Sequence, residues 1–419
     1  MRYLLAFLCI FLLNFQTFSQ EKKNDTSIKF NGFIRNDIYL DTYRSLNMLN
    51  DLTYFLPNFI GFDANGKEIN KQTSASFLSV ESRLWANITG PTILGAKSSG
   101  LLEADFVGKP DFYLLRLRKA YITLNWEKST LTIGQNWHPF GGGNVFPTVP
   151  STNNGSPFRP FNRSPQIRYD YLFGNVTTSL SALYQHLYVS NGPLGLSSVY
   201  KRDAVVPELD FGVDWSKNGW SIGGNIDYNT IKPRLFTTGN DKKTYTSNEI
   251  LSSWSYMVYC RFQGKKLMML FQGYLGQNLT HMQLNSGYGV SAFNPVTGAE
   301  KYTNYNGLYS MFNLTYGNKW RPGILLGYAK NLGTSDPLYK YQSNGVENAL
   351  VWGRSTNTRQ TYRFAPFLSY VESNYSLQFE YERTTAEWGL GNMNFDNGLY
   401  SSYHNTANNG IRMVLIYNF

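Results

Sequence analysis

Cysteine is nearly missing from this chain: Cys9 and Cys260 are the only two among 419 residues. Cys9 falls in an expected leader, and the one remaining thiol supports neither an internal disulfide framework nor a cysteine metal site. Charge is also scarce, at 16%, against roughly 25% in a soluble domain. Histidine is limited to His138, His186, His281 and His404, none at metal-ligand spacing and none beside a Gly-x-Ser-x-Gly elbow. Gly141–Gly143 lack the Lys-Ser or Lys-Thr that would follow in a phosphate loop. An enzyme, a resident metal and a cofactor are therefore not expected. No apolar stretch is long enough for a transmembrane helix, and a mean hydropathy of −0.34 excludes a helical membrane bundle. The net charge of +10 comes without a basic helix or a run of five like charges, so nucleic acid is not an expected partner.

What is abundant is aromatic. Phe, Trp and Tyr make up 16% of the chain, with 31 tyrosines. The N-terminus reads as a secretory leader: Arg2 supplies a positive n-region, Leu4–Leu13 is an apolar h-region, and Thr17-Phe18-Ser19 places small residues for cleavage after Ser19. This predicts a cleaved signal peptide at 1–19, a short periplasmic segment at 20–27 and one barrel domain at 28–419.

The period is two nearly throughout. In Ile28–Asp41 one face carries Ile28, Phe30, Ile34, Ile38 and Leu40, and the other Lys29, Arg35, Asp37 and Asp41. Glu208–Trp215 sets Leu209, Phe211, Val213 and Trp215 against Glu208, Asp210, Gly212 and Asp214. Such segments outrun the roughly five or six residues of a soluble strand, and their apolar faces end in Tyr and Trp. Short turns near Glu127–Ser129, Gly174–Asn175, Ser216–Gly219, Gly264–Lys265, Gly317–Lys319 and Ser373–Asn374 alternate with longer polar connections: Thr42–Thr73, His138–Pro165, Val189–Pro207, Asn229–Ser247, Gln277–Asn304, Leu332–Asn357 and Thr385–Asn408. With a longer turn near Gly90–Ser98 and a short connection near Val107–Asp111, seven turns and eight loops give sixteen strands. The fold class expected is therefore all-β: a transmembrane antiparallel up-and-down barrel with short periplasmic turns and long extracellular loops in the outer membrane of a Gram-negative bacterium. Ile411, Met413, Leu415, Tyr417 and Phe419 close the chain on an alternating strand, the pattern of substrates of the barrel-assembly machinery. Trp126, Trp215, Trp220 and Trp320 flank short turns, whereas Trp137, Trp254, Trp352 and Trp388 lie toward the long-loop rim, predicting two aromatic girdles.

A barrel of this size usually encloses water. The third long-rim connection, 138–165, is rich in Gly and Pro and has no carboxylate. It is the candidate for folding inward, with Arg159 and Arg163 at a constriction. Pore-lining candidates are Arg35, Asp37, Glu81, Arg83, Glu103, Asp105, Arg168, Arg261, Arg363, Glu380 and Arg412, with Arg116 and Arg118 beside the constriction. Either these cations favour small anions or they pair across neighbouring strands. Lys119 is awkward: if Arg116 and Arg118 face water, it faces lipid or a neighbouring subunit unless a bulge shifts the register.

The run Leu115–Tyr121 (Leu-Arg-Leu-Arg-Lys-Ala-Tyr), followed by Thr132–Trp137 (Thr-Ile-Gly-Gln-Asn-Trp) leading into a Phe-containing loop, resembles the DcaP-like outer-membrane porins. The match is specific over about Arg116–Phe140 and loose elsewhere. The resemblance implies a trimeric, 16-stranded diffusion channel, often for small anionic solutes, with Arg116 and Arg118 lining the pore near the inward loop. Some members carry an N-terminal helical extension. Here only Gln20–Ser27 precede the first strand, so a homotrimer would rest on the barrel wall. The Asn- and Tyr-rich strands resemble exported proteins of Bacteroidetes. The function expected is passive diffusion of small hydrophilic solutes; the alternative is a plugged barrel acting as a surface-binding or assembly scaffold.

Overall fold

The computed structural model describes residues 26–48, 53–108, 114–141, 145–343 and 346–419. The expected leader, most of the 20–27 segment, and Gly142 and Gly143 of the third connection lie outside the described residues. Sixteen strands form the wall. The first eight are β1 (Ser27–Asp41), β2 (Ser74–Leu78, resuming as Arg83–Ile93), β3 (Ala96–Asp105), β4 (Arg116–Asn125), β5 (Ser129–Trp137), β6 (Arg163–Phe173), β7 (Val176–Leu183) and β8 (Glu208–Lys217). The rest are β9 (Trp220–Ile231), β10 (Leu251–Gln263), β11 (Leu267–Gln277), β12 (Glu300–Tyr316), β13 (Trp320–Thr334), β14 (Thr358–Glu372), β15 (Tyr375–Asn394) and β16 (Leu399–Asn418). Each pairs antiparallel with its chain neighbours, and β1 also pairs with β16 from Phe33↔Asn418 to Asp41↔Gly410. The sheet is closed, so no backbone edge is left unpaired, as a lipid-exposed sheet requires.

The alternation runs inside out relative to a soluble protein. In β8, Glu208 and Asp210 are buried while Leu209, Phe211 and Val213 are exposed. In β1, Ile28, Phe30, Ile34, Ile38 and Leu40 all point outward, Phe30 with 77% of its surface free. A sheet presenting such a band to water would aggregate; facing hydrocarbon, it is the stable arrangement. No helix among the described residues is long and apolar enough to cross a membrane.

Closure is completed at the last residue. Gly32 and Phe419 exchange two backbone hydrogen bonds at 3.0 Å. The Phe419 ring lies over Gly32, where a Cβ would meet Phe419 Cζ and the Arg83 carbonyl oxygen, each at 2.6 Å. Gly32→Ala should therefore strain the seam by about 1–3 kcal/mol. The expected result is slower refolding into detergent, read as a smaller heat-modifiable fraction on gels. Wild-type refolding would show that the ring moves aside freely.

Several connections carry more structure than the sequence reading gives them, two of them most of all. Thr385–Asn408 is largely strand: β15 and β16 stay paired through Trp388↔His404 to Asn394↔Leu399, so the connection is only 395–398. Within 277–304 lie a 3-10 turn, Leu279–Met282, and a strand, Ser286–Phe293, that pairs with the start of β12. Above the lipid both faces of a hairpin are polar, so the alternation that marks a membrane strand vanishes while the backbone pairing persists.

The outer girdle also needs correction. Trp254 faces outward, but Trp388 is buried, its indole N–H bonded to Pro57 O and Thr406 Oγ1. Trp137 packs inward against Phe146 and Phe161, and Trp352 stacks with Tyr288 and Tyr302 above the wall. Near the short turns, Trp215, Trp220 and Trp320 are exposed.

Candidate functional site

The third connection folds into the barrel. Its residues Phe140, Phe158, Arg159 and Phe161 are buried, and it reaches inward-facing groups around most of the wall. Thr148 and Asn313 on β12 exchange two hydrogen bonds at 2.8 and 3.2 Å. Arg35 on β1 donates to Pro150 O at 2.6 Å, and Arg363 on β14 donates to Ser156 O at 2.9 Å. Asn153 reaches Glu382 on β15 at 3.3 Å. Apolar packing directs the docking. Phe140, Val145 and Phe158 join Met257, Leu270, Tyr274, Met311 and Leu325 from β10–β13 in a core inside the barrel. Gly327 on β13 makes room for the Phe158 ring, which a Cβ there would overlap.

Part of the first connection enters as well. Ser45–Met48 and Thr53–Pro57 pair as a hairpin, with Tyr54, Phe55 and Leu56 buried. Arg363 donates to Phe55 O at 2.9 Å, and Asn153 reaches Tyr54 O at 3.4 Å. Its run Thr53-Tyr54-Phe55-Leu56-Pro57 is apolar enough to have signalled an inward segment, but it is embedded in polar sequence.

Arg159 and Arg163 have no solvent-accessible surface. Arg159 donates to Gln272 Oε1 on β11 at 3.0 Å and to the Gly141 and Asn154 carbonyls, with its guanidinium over the Phe146 ring. Burial pulls its affinity for the proton below the ordinary arginine value. Arg163 stacks on Trp137, Phe161 and Tyr188 and donates to Tyr188 Oη at 2.7 Å. Both are internal ties of the loop, covered from water. Arg363 is a third tie: besides the two carbonyls above, it meets Thr384 Oγ1 at 2.8 Å and Glu382 at 3.2 Å. Arg412 is likewise buried, 3.8 Å from Glu380 and over the Tyr39 ring.

Eight of the other candidates, joined by Lys119, form a continuous chain of charge along β1–β4. Arg35 meets Asp37 at 2.7 Å and Glu81 at 3.4 Å; Arg83 meets Glu81 at 3.1 Å and Glu103 at 3.8 Å. Arg118 bridges Glu103 and Asp105, each at 2.7 Å, Lys119 joins Glu103 at 2.8 Å, and Arg116 joins Asp105 at 2.7 Å. Five cations thus alternate with four carboxylates. Lys119 fits because the register shifts between Glu103 and Ala104, which pair with Lys119 and Leu117 and leave Arg118 as the extra residue of a bulge. Arg116, Arg118 and Lys119 can then all point inward.

Beneath the loop, toward the short-turn rim, lies a polar cavity of about 550 Å³. Its lining includes Lys119, Arg168, Arg261, Asp170, Asp214 and Tyr259. Arg168 pairs with Asp170 at 2.7 Å. Arg261 donates to Gln263 at 2.9 Å and has no carboxylate within ion-pair distance among the described residues.

A second cluster sits at the root of the inward loop. His138 and His281 both reach Glu208 Oε1, at 3.1 and 3.0 Å. Asp227 and Asp210 lie alongside, and Lys201 of α1 (Val199–Ala204) donates to Asn229 Oδ1 at 2.9 Å and Thr230 O at 3.2 Å. Burial pulls the Lys201 ammonium below its ordinary value, with Glu208 and Asp227 opposing. The sequence offers no spacing that joins these residues, since they come from four separate parts of the chain.

No protein-family model and no curated protein matches the chain. Solved structures do. The outer membrane channel DcaP of Acinetobacter baumannii aligns with a TM-score of 0.66 and 16% identity, over 97% of this chain and 99% of that one. In-vitro folded OmpT, an outer membrane protein of Vibrio cholerae, gives 0.55 and 12% over 96% and 100%. An anion-selective porin from Comamonas acidovorans gives 0.53 and 9% over 94% and 100%. Identities this low establish a shared barrel fold.

Proposed function

We propose that this chain is an outer-membrane porin through which small hydrophilic solutes diffuse passively, with the inward loop setting the aperture. The observation that carries the reading is the 138–165 loop docked across the lumen above a charged cavity of about 550 Å³. A wall this polar inside is useful only if water occupies it. The fold shared with the Acinetobacter baumannii channel supports the same reading, as does the Arg116–Phe140 resemblance to DcaP-like porins. Export through a cleaved leader, insertion by the barrel-assembly machinery into outer-membrane lipid, and assembly as a homotrimer through the apolar exterior belong to it.

Selectivity follows from the net charge of the cavity and of the ladder beside it. Lys119, Arg168 and Arg261 outnumber Asp170 and Asp214 there, which favours small anions weakly. Planar-bilayer recording of the folded protein should give discrete conductance steps and a reversal potential shifted modestly toward the anion in a salt gradient. Arg261→Gln should shrink that shift and leave the step frequency unchanged. The apolar core within the barrel favours a second reading, a plugged barrel that serves as a surface scaffold; a complete lack of steps at every voltage would select it.

A further inference from the structure

We propose that the root of the inward loop is a binding site for a zinc-class divalent cation, held by His138, Glu208 and Asp227, with His281 hydrogen-bonded to Glu208 behind them. One ligand atom from each of His138, Glu208 and Asp227 lies within 4.8 Å of the others, and all three residues are buried. Around a tetrahedral ion with bonds of about 2.0–2.2 Å, neighbouring ligand atoms stand roughly 3.3 Å apart. The observed 3.1 Å from His138 Nε2 to Glu208 Oε1 is close to that edge.

Two further observations point to a ligand. His138 Nε2 is at ion-pair distance from Glu208 yet makes no hydrogen bond with it, so the ring nitrogen is directed beside the oxygen rather than at it. Asp227 Oδ1 and Asp210 Oδ2 are buried without any hydrogen-bond partner. A buried carboxylate oxygen left unpartnered is costly.

The carboxylates crowd one another. Asp210 and Asp227 are directly opposed across β8 and β9, and Glu208 lies two residues from Asp210 on the same inward face. Like charges in that register repel. Lys201 is the ammonium at the cluster, and its hydrogen bonds go to Asn229 and Thr230. A dication among Glu208, Asp210 and Asp227 offsets that repulsion. A buried imidazole among the ligands selects zinc or a similar first-row ion over calcium or magnesium. Phe140 N–H approaches His138 Nδ1 at 3.3 Å. Metal at Nε2 needs the ring proton on Nδ1, so loading turns that peptide group aside. The ion thereby fastens the first turn of the inward loop to the wall, whether or not the barrel conducts.

The test uses the full folded barrel, stripped with chelator and then titrated with Zn2+ alone by calorimetry. Co2+ absorbance serves as a spectroscopic check. The expected result is one saturable site per chain, a visible Co2+ band, and no displacement by Ca2+. Glu208→Gln and the isosteric Asp227→Asn should each weaken binding at least about tenfold, with heat-modifiable mobility confirming the fold. His404→Ala, remote from the cluster, should bind as wild type. No saturable Zn2+ binding, unchanged affinity in both carboxylate variants, or displacement by Ca2+ would overturn the proposal.

Discussion

Arg159→Ala should free the inward loop and raise both the size and the noise of the conductance steps, while leaving the reversal potential where it was. The side chain has no contact with water, so its charge is not a selectivity element. What it supplies is attachment. Its guanidinium joins the loop's two limbs through the Gly141 and Asn154 carbonyls and ties both to Gln272 on β11. Truncation strands these acceptors in an apolar setting beside Phe146. Each unsatisfied group costs about 1–3 kcal/mol, and the losses do not simply add, so a net weakening of about 3 kcal/mol is expected. That falls on loop docking rather than on the wall, because the β10–β13 pairing does not involve Arg159. Paired measurements separate the two roles. A step size that rises at constant reversal potential fits a tie; an unchanged step with a cation-ward reversal potential would return Arg159 to the water path. Arg159→Lys should behave nearly like alanine, since a single ammonium cannot span three acceptors in one plane.

The wall was legible because its physics is local. A residue's side of the sheet depends only on its parity, so Leu209, Phe211 and Val213 against Glu208 and Asp210 could be assigned without any tertiary knowledge. The closing pairing of β16 with β1 followed from counting strands. The interior was less legible, for three separate reasons. Parity fails at a bulge, and nothing in Arg116–Tyr121 says that Arg118 is the extra residue; the ion pairs to Glu103 and Asp105 decide it. Composition cannot distinguish an arginine that faces water from one buried against the loop, and Arg159 and Arg363, which cap carbonyls, and Arg163, which stacks on aromatic rings, prove to be of the second kind. The His138–Glu208–Asp227 cluster joins residues distant in the chain, and only the barrel's curvature and the inward loop bring them together.

Arg118→Ala should have the largest effect of any single change in the charged wall. Arg118 is almost fully buried and forks between Glu103 and Asp105 at 2.7 Å each, so it is the link between the upper and lower parts of the ladder. Removing one member of a buried ion pair costs about 3–5 kcal/mol when the partner stays charged and uncompensated. Here Glu103 keeps Lys119 and a distant Arg83, and Asp105 keeps Arg116. The lower end, about 3 kcal/mol, is therefore expected, seen as a lower temperature for loss of heat-modifiable mobility. Electrically, the ladder goes from one excess cation to balance, and the reversal potential should move toward the cation. Arg118→Lys separates these effects. It keeps the charge but not the two-pronged geometry, so it should share the stability loss and keep the wild-type reversal potential. If alanine and lysine shift the reversal potential equally, geometry rather than charge governs the ion path along this wall. If neither shifts it, the ladder is a structural seam, and selectivity rests with Arg261 and the cavity beneath the loop.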